Sequence, residues 1–297
     1  MAKTVEDTIT RSERQRRGLQ KQTLVGVVLA GPALLLVAVL FLIPLTRLVV
    51  ESVTEPQLGI HNYVDAFTDP VSWRIIKTTL VLSVECSVLA LIIGYPIAFA
   101  MATLPRGAAR VLMILVLLPF WTSVLVRMYA WMILLGNRGI VNSTLQASGV
   151  SEEPHQLLYT RFAVVLGMTH YLVPFMILAL YSTMHGINRD LLKCSNSLGA
   201  SNWQTFRRVY FPLSLPGVFA GTLLVFILAL GFYVTPALLG GPRDTTMPVY
   251  IQQQVEQLEF GQATAMGIIL LVLVLALFFL YDRFLGFDNL LRGLGGR

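Results

Sequence analysis

Six long apolar stretches divide the chain, at residues 24–45, 76–101, 109–135, 161–184, 213–238 and 262–281. Each can cross a hydrocarbon layer about 30 Å thick as a helix rising about 1.5 Å per residue. None shows the alternating segments of about ten residues that mark a barrel strand. The pattern predicts an all-α, polytopic membrane bundle with six transmembrane helices. The first stretch is too long for a signal-peptide core, and no small-residue cleavage site follows it, so it is expected to stay as an uncleaved span. Pro32, Pro44, Pro96 and Pro119 fall within or near the ends of spans, where bundle neighbours can satisfy the freed backbone groups. Gly217 and Gly221 make a small-xxx-small step suited to close helix packing.

The stretch from Ile187 to Gly221, which leads from the polar loop after the fourth span into the fifth, has an internal grammar. Asn188 is placed to cap a first short helix, with Asp190 in its first turn, where a carboxylate suits the helix dipole. Ile187, Leu191, Cys194, Ser195 and Leu198 fall near one face. Gly199 sits where a left-handed C-cap is wanted. Ser201 and Gln204 fit a capping box that opens a second helix, on which Trp203, Phe206 and Tyr210 share a face. Pro212 is expected to end that helix and Pro216 to start the next. The stretch is a capped helical hairpin, over about 187–211, between the fourth and fifth spans.

Composition agrees with a membrane protein: 55% hydrophobic and only 13% charged residues, with mean hydropathy +0.70. A soluble domain cannot hide that much apolar surface. The net charge of +6 reflects topology rather than nucleic-acid binding. The tail 1–23, the 102–108 loop, the hairpin and the tail 286–297 hold most of the arginines and lysines. The opposite loops hold most of the acids, among them Asp65, Asp69, Glu152, Glu153 and Asp244. The positive-inside rule then puts both termini and the hairpin in the cytoplasm. Cys86 and Cys194 lie in unlike settings and are not expected to form a disulfide or to hold a metal.

Three ionisable residues lie inside spans: Glu85, Arg127 and His170. Such groups are costly in lipid and face a bundle interior or a cavity. Counted from the outer span ends they share a depth of roughly 12–14 Å, which allows a Glu85–Arg127 ion pair. Two readings stand: a layer of the translocation path in which Glu85 meets a cationic solute, or a structural pair joining spans two and three. His170 reads as a hydrogen-bonded packing residue or a proton relay. Trp121, Tyr129, Trp131, Tyr171, Phe232 and Tyr233 offer cation–π faces to an amine, or ordinary bundle packing. No catalytic constellation is present. No lysine follows a glycine, so there is no phosphate loop, and nucleotide would have to be bound by another chain.

The hairpin resembles the cytoplasmic EAA loop of permease subunits of binding-protein-dependent ABC importers. Gly199-Ala200-Ser201, Phe206, Pro212-Leu213 and Pro216-Gly217 stand in register, while the EAA positions read Lys193-Cys194-Ser195. Gly59-Ile60-His61-Asn62-Tyr63 through Trp73 is similar to the same family. Leu118-Pro119-Phe120-Trp121-Thr122 through Gly136, and Gly231-Phe232-Tyr233 through Pro242, resemble the spermidine/putrescine branch in particular. The resemblance implies an importer transmembrane domain over 24–285 that is not an enzyme and binds no cofactor itself. Its partners would be two ATPase subunits carrying ATP and Mg, a second homologous permease, a periplasmic binding protein and the bilayer of the inner membrane. It also implies an ATPase contact at Ile187, Asp190, Leu191, Lys193, Cys194, Leu198, Gly199 and Ala200, with Trp203 and Phe206 anchoring the hairpin to the bundle. The path would include Glu85, Arg127, His170, Trp121, Tyr129, Phe232 and Tyr233. Relatives for opines, aminophosphonates or ferric iron are similar. An ion-coupled secondary transporter and an intramembrane enzyme are the alternatives. The absence of a visible internal repeat and the presence of a capped hairpin weigh against the transporter.

Overall fold

The computed structural model describes residues 31–32, 35–55 and 57–285, which contain helices and no strand. Both tails, and residues 24–30 of the first apolar stretch, lie outside the described residues. Six helical segments are long and apolar enough to cross a membrane. The first, α1 (Leu35–Thr54), runs past the expected end at residue 45. The Asn62 side chain explains this, donating to the Ser52 and Glu55 carbonyls at 3.0 and 2.7 Å near the helix C-terminus. Asn62 belongs to α2 (His61–Thr68).

Helix α3 (Pro70–Thr103) begins before the expected residue 76 because Asp69 caps it. Its carboxylate accepts from Ser72 N at 2.8 Å and Ser72 Oγ at 3.0 Å, and Pro70 occupies the first turn. Those bonds hold the Asp69 carboxyl below its ordinary range. The expected third span, 109–135, is two helices, α4 (Arg106–Leu117) and α5 (Val124–Leu135), joined by a 3-10 turn over Leu118–Trp121. Pro119 has no N–H and disfavours helical geometry before it. Helix α6 (Ile140–Ala147) follows, then α7 (Arg161–His185), which matches the expected fourth span closely.

The hairpin helices are α8 (Arg189–Ser197) and α9 (Asn202–Thr205). Contrary to expectation, Pro212 does not end the second. A π turn over Phe206–Tyr210 leads directly into α10 (Phe211–Leu230), and the helix is continuous from Asn202 to Leu230. The extra residue in the π turn accommodates the proline ring without a break. The fifth span then stops at Leu230, short of 238, and α11 (Val234–Leu239) and α12 (Met247–Glu256) fold back before α13 (Phe260–Leu285).

The centre of the bundle is α7, packed against α3 and α10. Over its apolar window 56% of residues are buried, against 33% or less for every other span. Met168, Leu172, Met176, Leu180 and Met184 recur every fourth residue and are all buried, forming one ridge along the helix. Glycines receive it from both sides: Gly94 on α3 and Gly221 on α10 lie against Met176. A Cβ at Gly217 would lie 2.8 Å from the Thr183 side chain, and one at Gly221 2.8 Å from Met176 Sδ. We therefore expect Gly217→Ala to lower stability in detergent by about 1–3 kcal/mol through overpacking. Gly267→Ala, where a Cβ meets nothing within 4 Å, should leave the thermal midpoint unchanged or raise it.

Candidate functional site

The hairpin is built as its sequence predicts. Asn188 Oδ1 accepts from Asp190 N at 2.9 Å, Gly199 has φ +86°, and the Ser201–Gln204 capping box closes in both directions. The two short helices are tied together by Ser195 Oγ to Thr205 Oγ1 at 3.0 Å and by Thr205 Oγ1 donating to Asn196 Oδ1 at 2.7 Å. Lys193, standing where the family motif has glutamate, pairs with Asp190 at 2.9 Å across one helical turn. Both side chains are exposed, so the pair adds little stability.

One side of the hairpin is seated on the bundle. Ile187, expected at the docking face, packs instead against the core together with Leu192, which the face analysis did not single out. Arg189 Nη2 donates to the Ala102 carbonyl at 2.6 Å near the end of α3. Phe206 packs edge-on to Tyr95 and Phe99. Trp203 is not buried in the bundle as an anchor would be: it is 67% exposed and stacks on Phe206. The other side is open. Leu198 is 89% exposed at the tip, and Leu191 and Cys194 are also exposed.

The expected Glu85–Arg127 pair does not form, and Glu85 lies instead at the level of the start of α7. Glu85 is held bidentately by Arg161, Nη2 to Oε1 at 2.7 Å and Nε to Oε2 at 2.9 Å. Arg161 is the first residue of α7, so the pair joins α3 to α7 rather than α3 to α5. Buried Asp244 completes this cluster. Burial pushes its carboxyl up from the ordinary value and Glu85 adds to that, while a Gly241 backbone hydrogen bond and Arg161 pull it down.

Arg127 has a different task. Its guanidinium donates to the Pro119 carbonyl, to Thr122 O at 3.3 Å and to Thr122 Oγ1 at 3.0 Å, and its Cζ lies 5.5 Å from the Tyr171 ring centroid. It satisfies the carbonyls that the α4–α5 break sets free. Tyr171 in turn packs on Phe232 at 4.8 Å, and Phe175 on Phe120 at 5.0 Å. The two breaks, at Leu118–Ser123 and Gly231–Tyr233, thus flank the same aromatic run of α7. Trp131 Nε1 donates to His170 Nδ1 at 3.2 Å, which makes His170 an acceptor within the bundle. Trp121 (90% exposed), Tyr129 and Tyr233 face outward.

Residues 90–286 match the family described as binding-protein-dependent transport system inner membrane component. The chain belongs to that family. It is a multi-pass inner-membrane component of a transport system, and the family is one of permeases rather than enzymes. The chain is 37% identical over 229 residues to the spermidine/putrescine transport system permease protein PotB of Haemophilus influenzae, covering 76% of this chain and 79% of that protein. It is 35% identical to PotB of Escherichia coli, covering 69% and 78%. Inner membrane ABC transporter permease protein YdcU of Escherichia coli is 32% identical, with 79% of each chain covered. In fold, it is similar to a chain of a bacterial ABC transporter involved in alginate import, with TM-score 0.68, 22% identity and coverage of 91% and 99%.

Two outcomes test the cluster. In thermal unfolding of the purified chain, Glu85→Gln and Arg161→Gln should be non-additive by about 0.5 kcal/mol, the low end for an ion pair whose partners stay more than a third exposed. Glu85→Gln and Arg127→Gln should add. The Asp244 carboxyl has a raised folded-state pKa, so its ionisation opposes folding as pH rises above the ordinary value of 3.8. Asp244→Asn should therefore stabilise the chain more at pH 7 than at pH 4.

Proposed function

We propose that the chain is one of two permease subunits of an ATP-driven importer for a small polyamine such as spermidine or putrescine. A periplasmic binding protein delivers the solute to the loops on the α2 and α12 side. Two ATPase subunits on the opposite, cytoplasmic side bind ATP and Mg. Both termini lie on that cytoplasmic side in this reading, which the distribution of basic residues supports.

The observation that carries this reading is the hairpin: a doubly capped, internally hydrogen-bonded element with exposed apolar side chains at its tip. Exposed Leu198 and Leu191 on so rigid a mount suit insertion into a groove on a partner. The hairpin leads into α10 through one unbroken helix, so displacement at the tip moves a helix packed on α7. In this reading ATP-driven closure of the ATPases pushes the hairpin, and α10 shifts along the methionine ridge.

The polyamine assignment rests on the PotB relatives and is compatible with the acidic Glu85–Asp244 cluster on the α12 side and the aromatic run around Tyr171 and Phe232. The test is reconstitution of the chain with its neighbouring subunits and binding protein in liposomes. Spermidine or putrescine should stimulate ATP hydrolysis; stimulation by an opine or an aminophosphonate instead would reassign the solute. Leu198→Asp should lower stimulated hydrolysis at least tenfold, the effect of losing a buried apolar anchor at an interface, while the thermal midpoint of the permease stays unchanged. Accumulation of solute by this chain alone, without ATP, would overturn the reading in favour of ion-coupled transport.

A further inference from the structure

On the hairpin side of the bundle, two connected cavities of about 690 and 320 Å³ share Ala102, His185 and Arg189. Arg106 and Arg110 line the first, Lys193 lines the second and Arg189 lines both, so the groove is walled by cations from α4 and α8. No carboxylate is among its lining residues. The nearest acid in sequence, Asp190, is engaged by Lys193 at 2.9 Å.

Two further observations point to an anion. Tyr210 lines the second cavity with Arg189, the arginine common to both, and is 3% exposed, yet its hydroxyl has no hydrogen-bond partner. A buried hydroxyl left unpaired is costly unless something fills the site. Helix α4 also starts at Arg106 behind Pro105 with no side chain capping it, so its first N–H groups are available where the dipole favours negative charge. Guanidinium forks at such a place match phosphate oxygens bidentately.

The surroundings select a lipid rather than free phosphate. Met101, Leu104 and Met113 form an apolar wall of the first cavity. Beyond it, Val111, Ile114 and Leu115 on α4 are all more than half exposed and continue along the span. That face suits acyl chains below a headgroup. A choline headgroup would bring its ammonium into a site made of cations, whereas an acidic headgroup adds no positive charge.

We propose that this groove binds the headgroup of an acidic phospholipid, its phosphate held by Arg106, Arg110 and Arg189 with the Tyr210 hydroxyl as a further donor. The site stands on geometry separate from the transport reading and survives any reassignment of the solute.

Native mass spectrometry of the full-length chain, purified with whatever subunits accompany it, tests this with phosphatidylglycerol, phosphatidylcholine and inorganic phosphate as probes. Phosphatidylglycerol should be retained about tenfold more than phosphatidylcholine, and the preference should vanish in Arg106→Gln/Arg110→Gln. Tyr210→Phe, which removes only an unpaired hydroxyl, should weaken retention up to about tenfold, the range for one hydrogen bond to a charged group. Arg283→Gln, which removes a cation on α13 outside the groove, should change nothing. Equal retention of the two lipids, equal loss in Arg283→Gln, or displacement of phosphatidylglycerol by millimolar inorganic phosphate would each overturn the proposal.

Discussion

The close approach of α7 to α3 and α10 is the constraint on which the rest of the structure depends. In a bilayer the lipid tails are as apolar as leucine, so burial alone does not drive helices together. Shape has to do it. The ridge of Met168, Leu172, Met176, Leu180 and Met184 meets Gly94 and Gly221 of its two neighbours at Met176, and at Gly217 a methyl group would press on the Thr183 side chain. With α7 fixed, Arg161 at its start is delivered to Glu85 of α3, and Ile187 and Arg189 just beyond its end are delivered to the base of the hairpin. Both ends of the bundle are therefore set by one helix.

Polar groups inside the apolar segments follow from the same economy. Broken helices expose carbonyls that lipid cannot satisfy. The break after α4 is closed by Arg127, whose guanidinium takes the Pro119 and Thr122 carbonyls while resting on Tyr171. The same arginine is thus a structural clamp and a positive charge beside the aromatic run. Glu85, by contrast, is paired with Arg161, and Asp244 lies within electrostatic reach of both. The two charged centres are distinct.

Mechanical continuity separates the hairpin from an ordinary loop. An N-cap, a capping box and a left-handed glycine make it stiff, and the π turn carries the helix past Pro212 without a joint. A flexible connection there would absorb movement; an unbroken helix transmits it to the Gly217–Gly221 contact. Lys193 in the position of the motif's glutamate leaves this architecture intact, because the stiffness comes from caps and from the Ser195–Thr205–Asn196 bonds rather than from that side chain.

The amino-acid order by itself determined the number and helical nature of the spans, the caps of the hairpin and the family, because run length, capping residues and motif spacing are local properties. Even the fourth span and the turn at Gly199 are legible to within a residue or two. Tertiary structure alone decided which polar residues meet. Glu85 lies as close in depth to Arg127 as to other candidates when counted along separate helices, and nothing in the counting reveals that rotation of α3 points it at Arg161. Likewise Pro212 reads as a helix stop, yet neighbouring aromatics and a π turn keep the helix running; Ile187 and Leu191 look equivalent on a helical wheel, yet only one faces the bundle. Periodicity fixes what a residue is and how far along a helix it sits, whereas the azimuth at which two helices face each other is fixed only when their surfaces pack.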